Sequence, residues 1–268
     1  MNREQKIAYL LGKEHYSVDD LNILVGVLRG DGGCPWDIEQ THKSIRNDLI
    51  EETYEVIEAI DTDNSVLMQE ELGDVLLQVA FHADIEREAG NFEFVDITDG
   101  ICKKLIHRHP HVFGDVSVSS SEQVLSNWDK IKSKEKSRVT VTDKLRSIPP
   151  MLPALMRATK VGKKASCFDF ADAESVMVKL EEEIDELKNA IENESCERIS
   201  EELGDLLLTI TSLARKLGVD AEQSLRDATD KFIARFERVE NAVIAQNADI
   251  NQMSMQELDE IWEKIKHN

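Results

Sequence analysis

The chain has 268 residues, and its 53 acidic against 32 basic side chains give a formal net charge of −21. It contains only 12 glycines, 5 prolines and 5% aromatic residues, which argues against a turn-rich β-sandwich or barrel and favours long helices. A hydrophobic share of 41% is enough for a core, so the acidity does not indicate disorder. The negative charge speaks against a nucleic-acid binder, because such proteins neutralise phosphates with Lys and Arg.

No targeting or membrane-spanning segment is expected. The apolar run within residues 1–17 is too short for a secretory signal or a membrane span, and no stretch of 18 apolar residues occurs in the sequence. The cysteines form no Cys-x-x-Cys pair and lie far apart, at Cys34, Cys102, Cys167 and Cys196. We therefore expect a cytoplasmic protein with reduced thiols and no cysteine-based zinc site.

Apolar residues recur with helical spacing in both halves of the chain. In the N-terminal half they predict one helix around residues 56–60, a second around 72–79 that ends near Gly90, and a third from Ile97 to Leu105 after Asp96. In the C-terminal half they predict helices around 180–191 and 203–217, the latter ended by Gly218 as a C′ residue. Asp220 is the expected N-cap of a helix that carries Leu225 to Val239. Amphipathic helices joined by short connections predict helical bundles and an all-α fold.

The two halves repeat one acidic pattern. Residues 50–55 (IEETYE) correspond to 181–186 (EEEIDE), and residues 70–77 (EELGDVLL) correspond to 201–208 (EELGDLLL). One constant separation along the chain relates five acidic pairs: Glu51/Glu182, Glu52/Glu183, Glu55/Glu186, Glu71/Glu202 and Asp74/Asp205. A constant offset without a gap indicates a tandem duplication of one module.

Residues 133–153 separate the two copies. This segment holds three of the five prolines and the polar run SKEKSRVTVTD, a composition typical of a linker. We predict an N-terminal module over residues 1–132, a linker over 133–153 and a C-terminal module over 154–268. The wide apolar stripes further predict that each module pairs with another, in the same chain or in a dimer.

The repeated acids predict a cation site. Glu183 and Glu186 share a helix face, and so do Glu202 and Asp205. If these helices pack antiparallel, four or five carboxylates including Glu182 converge, and their repulsion of several kcal/mol at an effective dielectric of about 20 needs an opposing charge. Mg²⁺, or Mn²⁺ in its place, suits such oxygen ligands. The N-terminal counterparts are Glu52, Glu55, Glu71 and Asp74.

A solvated helix face is the other interpretation of each acidic patch taken alone. Two observations favour the cation site: the pattern recurs in register, and Leu203, Leu206 and Leu207 flank the second acidic pair. A di-iron bundle would carry Glu-x-x-His on two helices. Neither copy has a histidine at that position, which disfavours redox iron.

Basic side chains follow the acids in the C-terminal half. Lys231 and Arg235 are one helical turn apart, and so are Trp262 and Lys266. Cationic side chains that face a divalent cation site suit a polyphosphate chain, and Trp262 could stack on a base. The alternatives are a solvated helix surface for the basic pair and plain core packing for Trp262.

The motif Glu-Glu-x-x-Glu, followed on the next predicted helix by Glu-x-x-Asp and repeated in tandem, resembles the MazG nucleoside triphosphate pyrophosphohydrolases. Further matching segments are Gly33–Asp37 (GCPWD), His109–Phe113 (HPHVF), Leu152–Ala158 (LPALMRA), Lys231-Phe232 and Arg235-Phe236. The resemblance implies an all-α, intertwined homodimer that hydrolyses NTPs and dNTPs to the monophosphate and pyrophosphate with Mg²⁺. It also implies metal ligation by Glu183, Glu186, Glu202 and Asp205, and nucleotide contacts from Lys179, Lys231, Arg235 and Trp262, beside which Lys266 lies. We assign the general base to Glu182, next to the catalytic ligand Glu183.

The flanking residues distinguish the two copies. Lys179 precedes the C-terminal acids, whereas the equivalent position of the first copy is Asp48, which would repel a triphosphate. The N-terminal analogues of the basic pair are Lys104 and Arg108, within a stretch whose histidines, His107, His109 and His111, we expect to be structural rather than metal ligands. The hypothesis is that the C-terminal module dominates catalysis.

Two other functions stay open. One is a narrow-specificity pyrophosphatase of the dUTP or dCTP type, and the other is a non-catalytic acidic helical module that binds a basic partner. The binding module would need neither a metal nor the basic set beside the acids. Nucleoside triphosphates and a second copy of the chain are the expected partners, without nucleic acid or a membrane.

Overall fold

The computed structural model describes residues 1–135 and 140–266. Across these residues the secondary structure is helical and contains no β-strand, which confirms the predicted all-α class. The chain divides into two compact units, Met1–Lys132 and Ser133–Asn268. Each unit is a helical module with its own copy of the acidic pattern.

The helices of the N-terminal unit follow one another with short connections. In chain order they are α1 (Arg3–Leu11), α2 (Val18–Arg29), α3 (Pro35–Glu39), α4 (Arg46–Asp61), α5 (Ser65–Ala89), α6 (Phe94–Arg108), α7 (Pro110–Phe113) and α8 (Ser121–Glu135), the last of which ends three residues beyond the unit boundary at Lys132. The connection between α4 and α5 is short, so these two helices form an antiparallel hairpin. The hydrophobic core lies where α2, the start of α4, α5 and α6 meet, and is built on Val25, Ile45, Ala80, Phe81, Ala83 and Phe94.

A buried arginine fixes the loop between α3 and α4. Arg29 donates from Nη1 to the backbone oxygens of Asp37 at 2.6 Å and Gln40 at 3.2 Å. Its Nε lies 3.3 Å from Oδ2 of Asp84 on α5, and both side chains are almost fully buried. The Arg29 guanidinium therefore holds this loop against α5, the helix that carries Glu71 and Asp74.

The predicted helix ends are largely reproduced. Gly90 ends α5 in the left-handed region at φ 74°, the conformation that favours glycine at this position. The helix expected after Asp96 begins earlier, at Phe94, with Glu93 as N-cap. The reason is a capping box: the Asp96 carboxylate accepts the Glu93 backbone N–H at 2.8 Å, so Asp96 lies inside the first turn.

The C-terminal unit repeats the hairpin of two long helices that carry the acidic pattern. In chain order they are α9 (Val141–Arg146), α10 (Ala154–Lys164), α11 (Ala173–Asn193), α12 (Cys196–Lys216), α13 (Ala221–Ala245) and α14 (Met255–Lys266). Helices α11 and α12 are joined by a short turn and pack along each other, so they too form an antiparallel hairpin. As expected, Gly218 follows α12 at φ 71°, and the Asp220 carboxylate caps α13 by accepting the N–H groups of Glu222 and Gln223.

The segment expected to be a linker contains helical residues. Residues 136–139 lie outside the described residues, and the remainder contains α9, which packs on α10. Ile148, between these helices, is only 5% exposed. The described part of the linker, from residue 140 on, therefore packs into the C-terminal unit.

The predicted apolar stripe on α12 stays open. Leu203 and Leu207 are 46% and 45% exposed, whereas the buried side chains of this helix are Glu202, Thr209 and Thr211. The helix therefore turns polar groups towards its own unit and leaves leucines uncovered. Within the described part of the chain, no helix is both long and apolar enough to cross a membrane.

Candidate active site

Three carboxylates converge between α11 and α12. Glu183 and Glu186 lie one turn apart on α11, and Glu202 faces them from α12. One oxygen from each of the three lies within 4.8 Å of the others. The antiparallel packing of the hairpin produces this convergence, because each helix alone places only two acids on a common face.

The C-terminal cluster is partly buried and incompletely satisfied. Glu183 and Glu202 are each 5% exposed. Glu183 Oε2 is buried without a hydrogen-bond partner among the described residues. A buried carboxylate oxygen with no partner is costly, so this atom favours a cation or a donor from outside the described residues.

Two basic side chains oppose the negative charge of this cluster. Lys179 Nζ lies 2.8 Å from Glu182 Oε1 and 3.0 Å from Glu183 Oε1. Arg198 contacts Glu202 and also pairs with Glu201 at 2.6 Å and Glu194 at 3.0 Å. These hydrogen bonds hold the pKa values of Lys179 and Arg198 above their usual range, so both stay charged beside the acids.

The remaining predicted acids lie at the edge of the cluster. Glu186 is exposed, and loss of hydration raises the pKa of its carboxyl while Lys179 opposes that change. Glu182 is exposed and bound to Lys179. Asp205 lies one turn after Glu202, is exposed, and is not one of the three converging residues. Metal ligation by these side chains stays a prediction.

A cleft opens beside the cluster, with a volume of about 520 Å³, a size typical of small-ligand sites. Glu182, Glu186, Arg198 and Glu202 line it together with polar residues of both helices. A polar, open cleft next to converging carboxylates suits a charged ligand that brings its own counter-ion.

Apart from Lys179 on α11, the predicted nucleotide-binding residues lie on α13 and α14, which pack together. The Trp262 ring is 5.3 Å from the Phe232 ring, so one side of the indole already has an aromatic neighbour. Lys231 is exposed and Arg235 is half-buried, and Lys266 lies 3.3 Å from Glu263. No hydrogen bond or ion pair among the described residues joins Lys231, Arg235 or Lys266 to the three carboxylates, so their role as ligand contacts stays a prediction.

The N-terminal unit holds a second cluster, and no ion pair among the described residues joins it to a basic side chain. Glu52, Glu55 and Glu71 also place one oxygen each within 4.8 Å of one another. Burial raises the pKa of Glu52 to about 7, assisted by its hydrogen bond to Glu55 and by the charge of Asp74. Burial and the Glu55 charge raise the pKa of Glu71 as well. Glu52 is therefore partly protonated near neutral pH.

The sequence explains the difference between the clusters. At the constant offset of the repeat, Lys179 corresponds to Asp48 and Arg198 corresponds to Leu67. Both basic contacts of the C-terminal acids are therefore missing from the N-terminal copy. Sequence reasoning found Lys179 and missed Arg198, although its position one helical turn before Glu202 was a usable signal.

The histidine-rich stretch of the N-terminal unit packs around a tryptophan. Arg108 is buried, with its guanidinium 5.4 Å from the Trp128 ring, and His109 meets the same ring edge-on at 4.9 Å. His109 Nδ1 also lies 2.6 Å from the Leu105 backbone oxygen. These contacts give the stretch a packing role, and Arg108, unlike Arg235, is covered by the fold.

The fold and the paired carboxylate clusters define an all-α protein with two potential cation sites of common origin. Residues 40–113 and 171–240 each match the MazG nucleotide pyrophosphohydrolase domain. Together these segments make up more than half of the chain, which therefore belongs to the MazG nucleotide pyrophosphohydrolase family, as the motif resemblance indicated.

Whole-chain relatives agree with this assignment. The chain is 45% identical over 250 residues to the nucleoside triphosphate pyrophosphohydrolase/pyrophosphatase MazG of Thermotoga maritima, covering 92% of this chain and 95% of that protein. It is 40% identical over 256 residues to the nucleoside triphosphate pyrophosphohydrolase of Escherichia coli K12, covering 93% and 97%. An uncharacterized Bacillus subtilis protein, YabN, is 38% identical over 267 residues, but the match covers 53% of its length.

Proposed function

We propose that this chain hydrolyses nucleoside triphosphates to the monophosphate and pyrophosphate, with Mg²⁺ or Mn²⁺, chiefly at the C-terminal cluster. The observation that carries the proposal is the convergence of Glu183, Glu186 and Glu202 beside an open cleft. The names of the Thermotoga and Escherichia relatives describe the same reaction class. Broad specificity over NTPs and dNTPs is proposed from the tandem arrangement that such members of the family share.

The residues present fit a hard divalent cation. All three converging groups are carboxylates, the ligand type that Mg²⁺ prefers, and Glu183 Oε2 is buried and unsatisfied. When bound, the cation would neutralise phosphate charge and lower the pKa of a coordinated water. Glu183, Glu186 and Glu202 would hold it, with Asp205 as the fourth predicted ligand.

The chain's own side chains supply the remaining chemistry. Water attacks the α-phosphorus and forms a new oxygen–phosphorus bond. The bond between the α-phosphorus and the oxygen that bridges it to the β-phosphate breaks, and pyrophosphate leaves with that oxygen. Glu182 accepts the proton of the attacking water. In the structure Glu182 is held by Lys179, so transfer of Lys179 to a phosphate oxygen would leave the carboxylate able to act as base. Lys231, Arg235 and Lys266 would bind phosphates, and Trp262 the base.

The difference between the two clusters supports C-terminal dominance. Lys179 and Arg198 provide positive charge at the C-terminal acids, while the N-terminal acids repel one another and hold a proton at Glu52. Single variants Glu183→Gln and Glu52→Gln, assayed for pyrophosphate release, test the asymmetry. We expect a large loss from the first and a small one from the second, and equal losses would contradict it.

Product analysis tests the reaction itself. A panel of standard and damaged NTPs and dNTPs is incubated with the full chain and Mg²⁺, and the products are separated. Monophosphate with pyrophosphate is expected, whereas diphosphate with phosphate would overturn the proposal. Turnover of dUTP or dCTP alone would replace broad specificity by the narrow type. A binding module would show no turnover and no thermal stabilisation by Mg²⁺ with a nonhydrolysable NTP analogue.

Assembly and location are proposed on separate grounds. The open leucines of α12, Leu203 and Leu207, form a face that a second copy of the chain would cover, which supports a homodimer. The four cysteines are all free thiols, consistent with the proposed location in the reducing cytoplasm.

A further inference from the structure

Two histidines and a glutamate form a compact cluster away from the carboxylates. His42 lies in the loop between α3 and α4, and His82 and Glu86 lie one turn apart on α5. The two imidazole rings stack with centroids 5.0 Å apart. His42 Nδ1 is 2.7 Å from His82 Nδ1, and His42 Nε2 is 2.7 Å from Glu86 Oε1. His82 follows Glu71 by three turns of α5, about 16 Å along the helix axis.

The hydrogen bonds define which ring atoms carry protons. An ionised carboxylate can only accept, so His42 Nε2 carries a proton and donates it to Glu86. A neutral His42 then has its lone pair on Nδ1, and this lone pair faces His82 Nδ1. The Nδ1 atoms of His42 and His82 thus share a single proton. The Nε2 edge of His42 is already bound to Glu86.

We propose that His42 and His82 bind a borderline divalent transition metal, of which Zn²⁺ is the type, through their Nδ1 atoms. The ion takes the place of the proton between the rings, and neutral His82 then carries its proton on Nε2. With Zn–N bonds of about 2.0–2.1 Å, tetrahedral geometry places two such nitrogens about 3.3 Å apart, so the present 2.7 Å contact must open slightly. The His42 side chain is 43% exposed, which allows this movement and lets water complete the coordination.

The surroundings of His42 match those of a metal-binding histidine. Such a residue donates its second ring N–H to a carboxylate, which fixes the tautomer and raises the basicity of the ligating nitrogen. Glu86 provides this acceptor, and its Oε2 is in turn held by Asn91 Nδ2 at 2.6 Å. Imidazole nitrogens select this class of ion over Mg²⁺, so the site differs in chemistry from both carboxylate clusters.

A bound ion would clamp the loop before α4 to α5. The helices α4 and α5 carry Glu52 and Glu71 respectively, so the site would stabilise the hairpin on which the N-terminal acids converge. Arg29 already ties the same loop to α5 through Gln40 and Asp84. This fixed loop would hold the ion whichever module turns over substrate.

Metal titration of the full chain tests the proposal. Zn²⁺ binding is measured by calorimetry in excess Mg²⁺, and Co²⁺ is used as a visible-absorption probe of nitrogen ligation. We expect the wild-type chain to bind one Zn²⁺ ion at the two histidines in excess Mg²⁺. We expect this binding to be lost in His42→Asn and in His82→Asn. Glu86→Gln keeps both rings and should weaken Zn²⁺ binding by about 10–100-fold. The double variant His109→Asn/His111→Asn is the matched control and should bind as the wild type does.

Circular dichroism verifies that each variant is folded. If a histidine variant does not fold, the Zn²⁺ affinity of Glu86→Gln, which keeps both rings, still tests the proposal. Unchanged Zn²⁺ affinity in folded variants of His42, His82 and Glu86 would overturn the proposal. So would loss of the ion in the double variant Glu52→Gln/Glu183→Gln with the histidines intact, because the metal would then belong to the carboxylates. Absence of Zn²⁺ uptake by the wild-type chain would leave the pair a hydrogen bond only and equally overturn it.

Discussion

Lys179 and Asp48 occupy equivalent positions in the two copies and carry opposite charges. Lys179 lies within 3.0 Å of two glutamates of α11, and its positive charge offsets part of the repulsion among the acids. Aspartate at this position adds to the repulsion instead. A single side chain therefore changes how much negative charge a triphosphate meets when it approaches the cluster.

Exchange of this charge should remove activity. For Lys179→Asp we expect kcat/KM for a dNTP to fall at least about tenfold, since a charge-assisted hydrogen bond contributes roughly 1.5–3 kcal/mol. Pyrophosphate release measures the effect. Lys188→Asp is the control, because Lys188 lies on the same helix and pairs only with Asp185 among the described residues. Equal losses in the two variants would indicate a general charge effect.

Glu52 should make the stability of the N-terminal unit depend on pH. Its pKa is raised to about 7 from 4.5, so the folded state binds this proton more tightly than the unfolded state. The stabilising contribution is complete below about pH 4.5 and is lost as the pH rises through 7. In chelator, Glu52→Gln should therefore raise the Tm of the N-terminal unit at pH 8 by several degrees and leave it nearly unchanged at about pH 4.5.

The neighbouring exposed Glu51 is the control for this prediction. Glu51→Gln removes the same charge from the same turn of α4 but lies outside the converging set. We expect no comparable rise in Tm at pH 8. A similar rise in both variants would attribute the effect to the net charge of −21 instead of the cluster.

The loop between α2 and α3 requires a glycine at position 33, because the backbone passes too close there for a side chain. A Cβ on Gly33 would lie 2.1 Å from the Leu28 backbone oxygen and 2.7 Å from that of Val27, distances that no side chain can occupy. The same Leu28 oxygen accepts the Cys34 N–H at 2.8 Å. The close approach therefore closes the turn that leads into α3.

Gly33→Ala should destabilise the N-terminal unit by at least about 2 kcal/mol, because backbone atoms must move to admit the methyl group. Urea unfolding measures the loss. Gly100→Ala provides the comparison: Gly100 lies within α6 with open space around it. There alanine should stabilise by about 0.5–1 kcal/mol. Equal effects at the two positions would contradict the steric argument.

At the scale of the whole molecule, uncovered apolar surface distinguishes α12 from an ordinary surface helix. Leu203, Leu207 and Ile210 follow one another at helical spacing and are each more than a third exposed. Scattered single leucines are common on surfaces, but a continuous stripe marks a contact site. The proposed homodimer would bury this stripe.

Leu207→Glu should therefore shift the chain from dimer to monomer, because a charge within an apolar interface stays unpaired. Sedimentation or light scattering gives the mass directly. Leu11→Glu is the control, since Leu11 is 82% exposed on α1 and lies outside the stripe. A wild-type chain that is monomeric at all concentrations tested would refute the dimer.

Local patterns were sufficient for much of the fold and part of the site. Helical spacing of apolar residues predicts three helices in each half, Gly90, Gly218 and Asp220 mark helix ends, and the constant offset between the acidic motifs reveals the duplication. Helix positions and ends are readable because they depend on residues within one turn of each other. The exception is the start of α6, where Asp96 lies inside the helix and Glu93 is the cap.

The tertiary structure decided what depends on packing between helices. It selected Glu183, Glu186 and Glu202 as the converging acids and placed Asp205 outside them, because the rotation of α12 against α11 determines which carboxylates meet. It also left the leucines of α12 open and brought His42, far away in the chain, to His82. The sequence by itself thus determined the class, the repeat and the candidate acids. Only long-range packing decided which of them meet, since side-chain distances across helices are not encoded in local spacing.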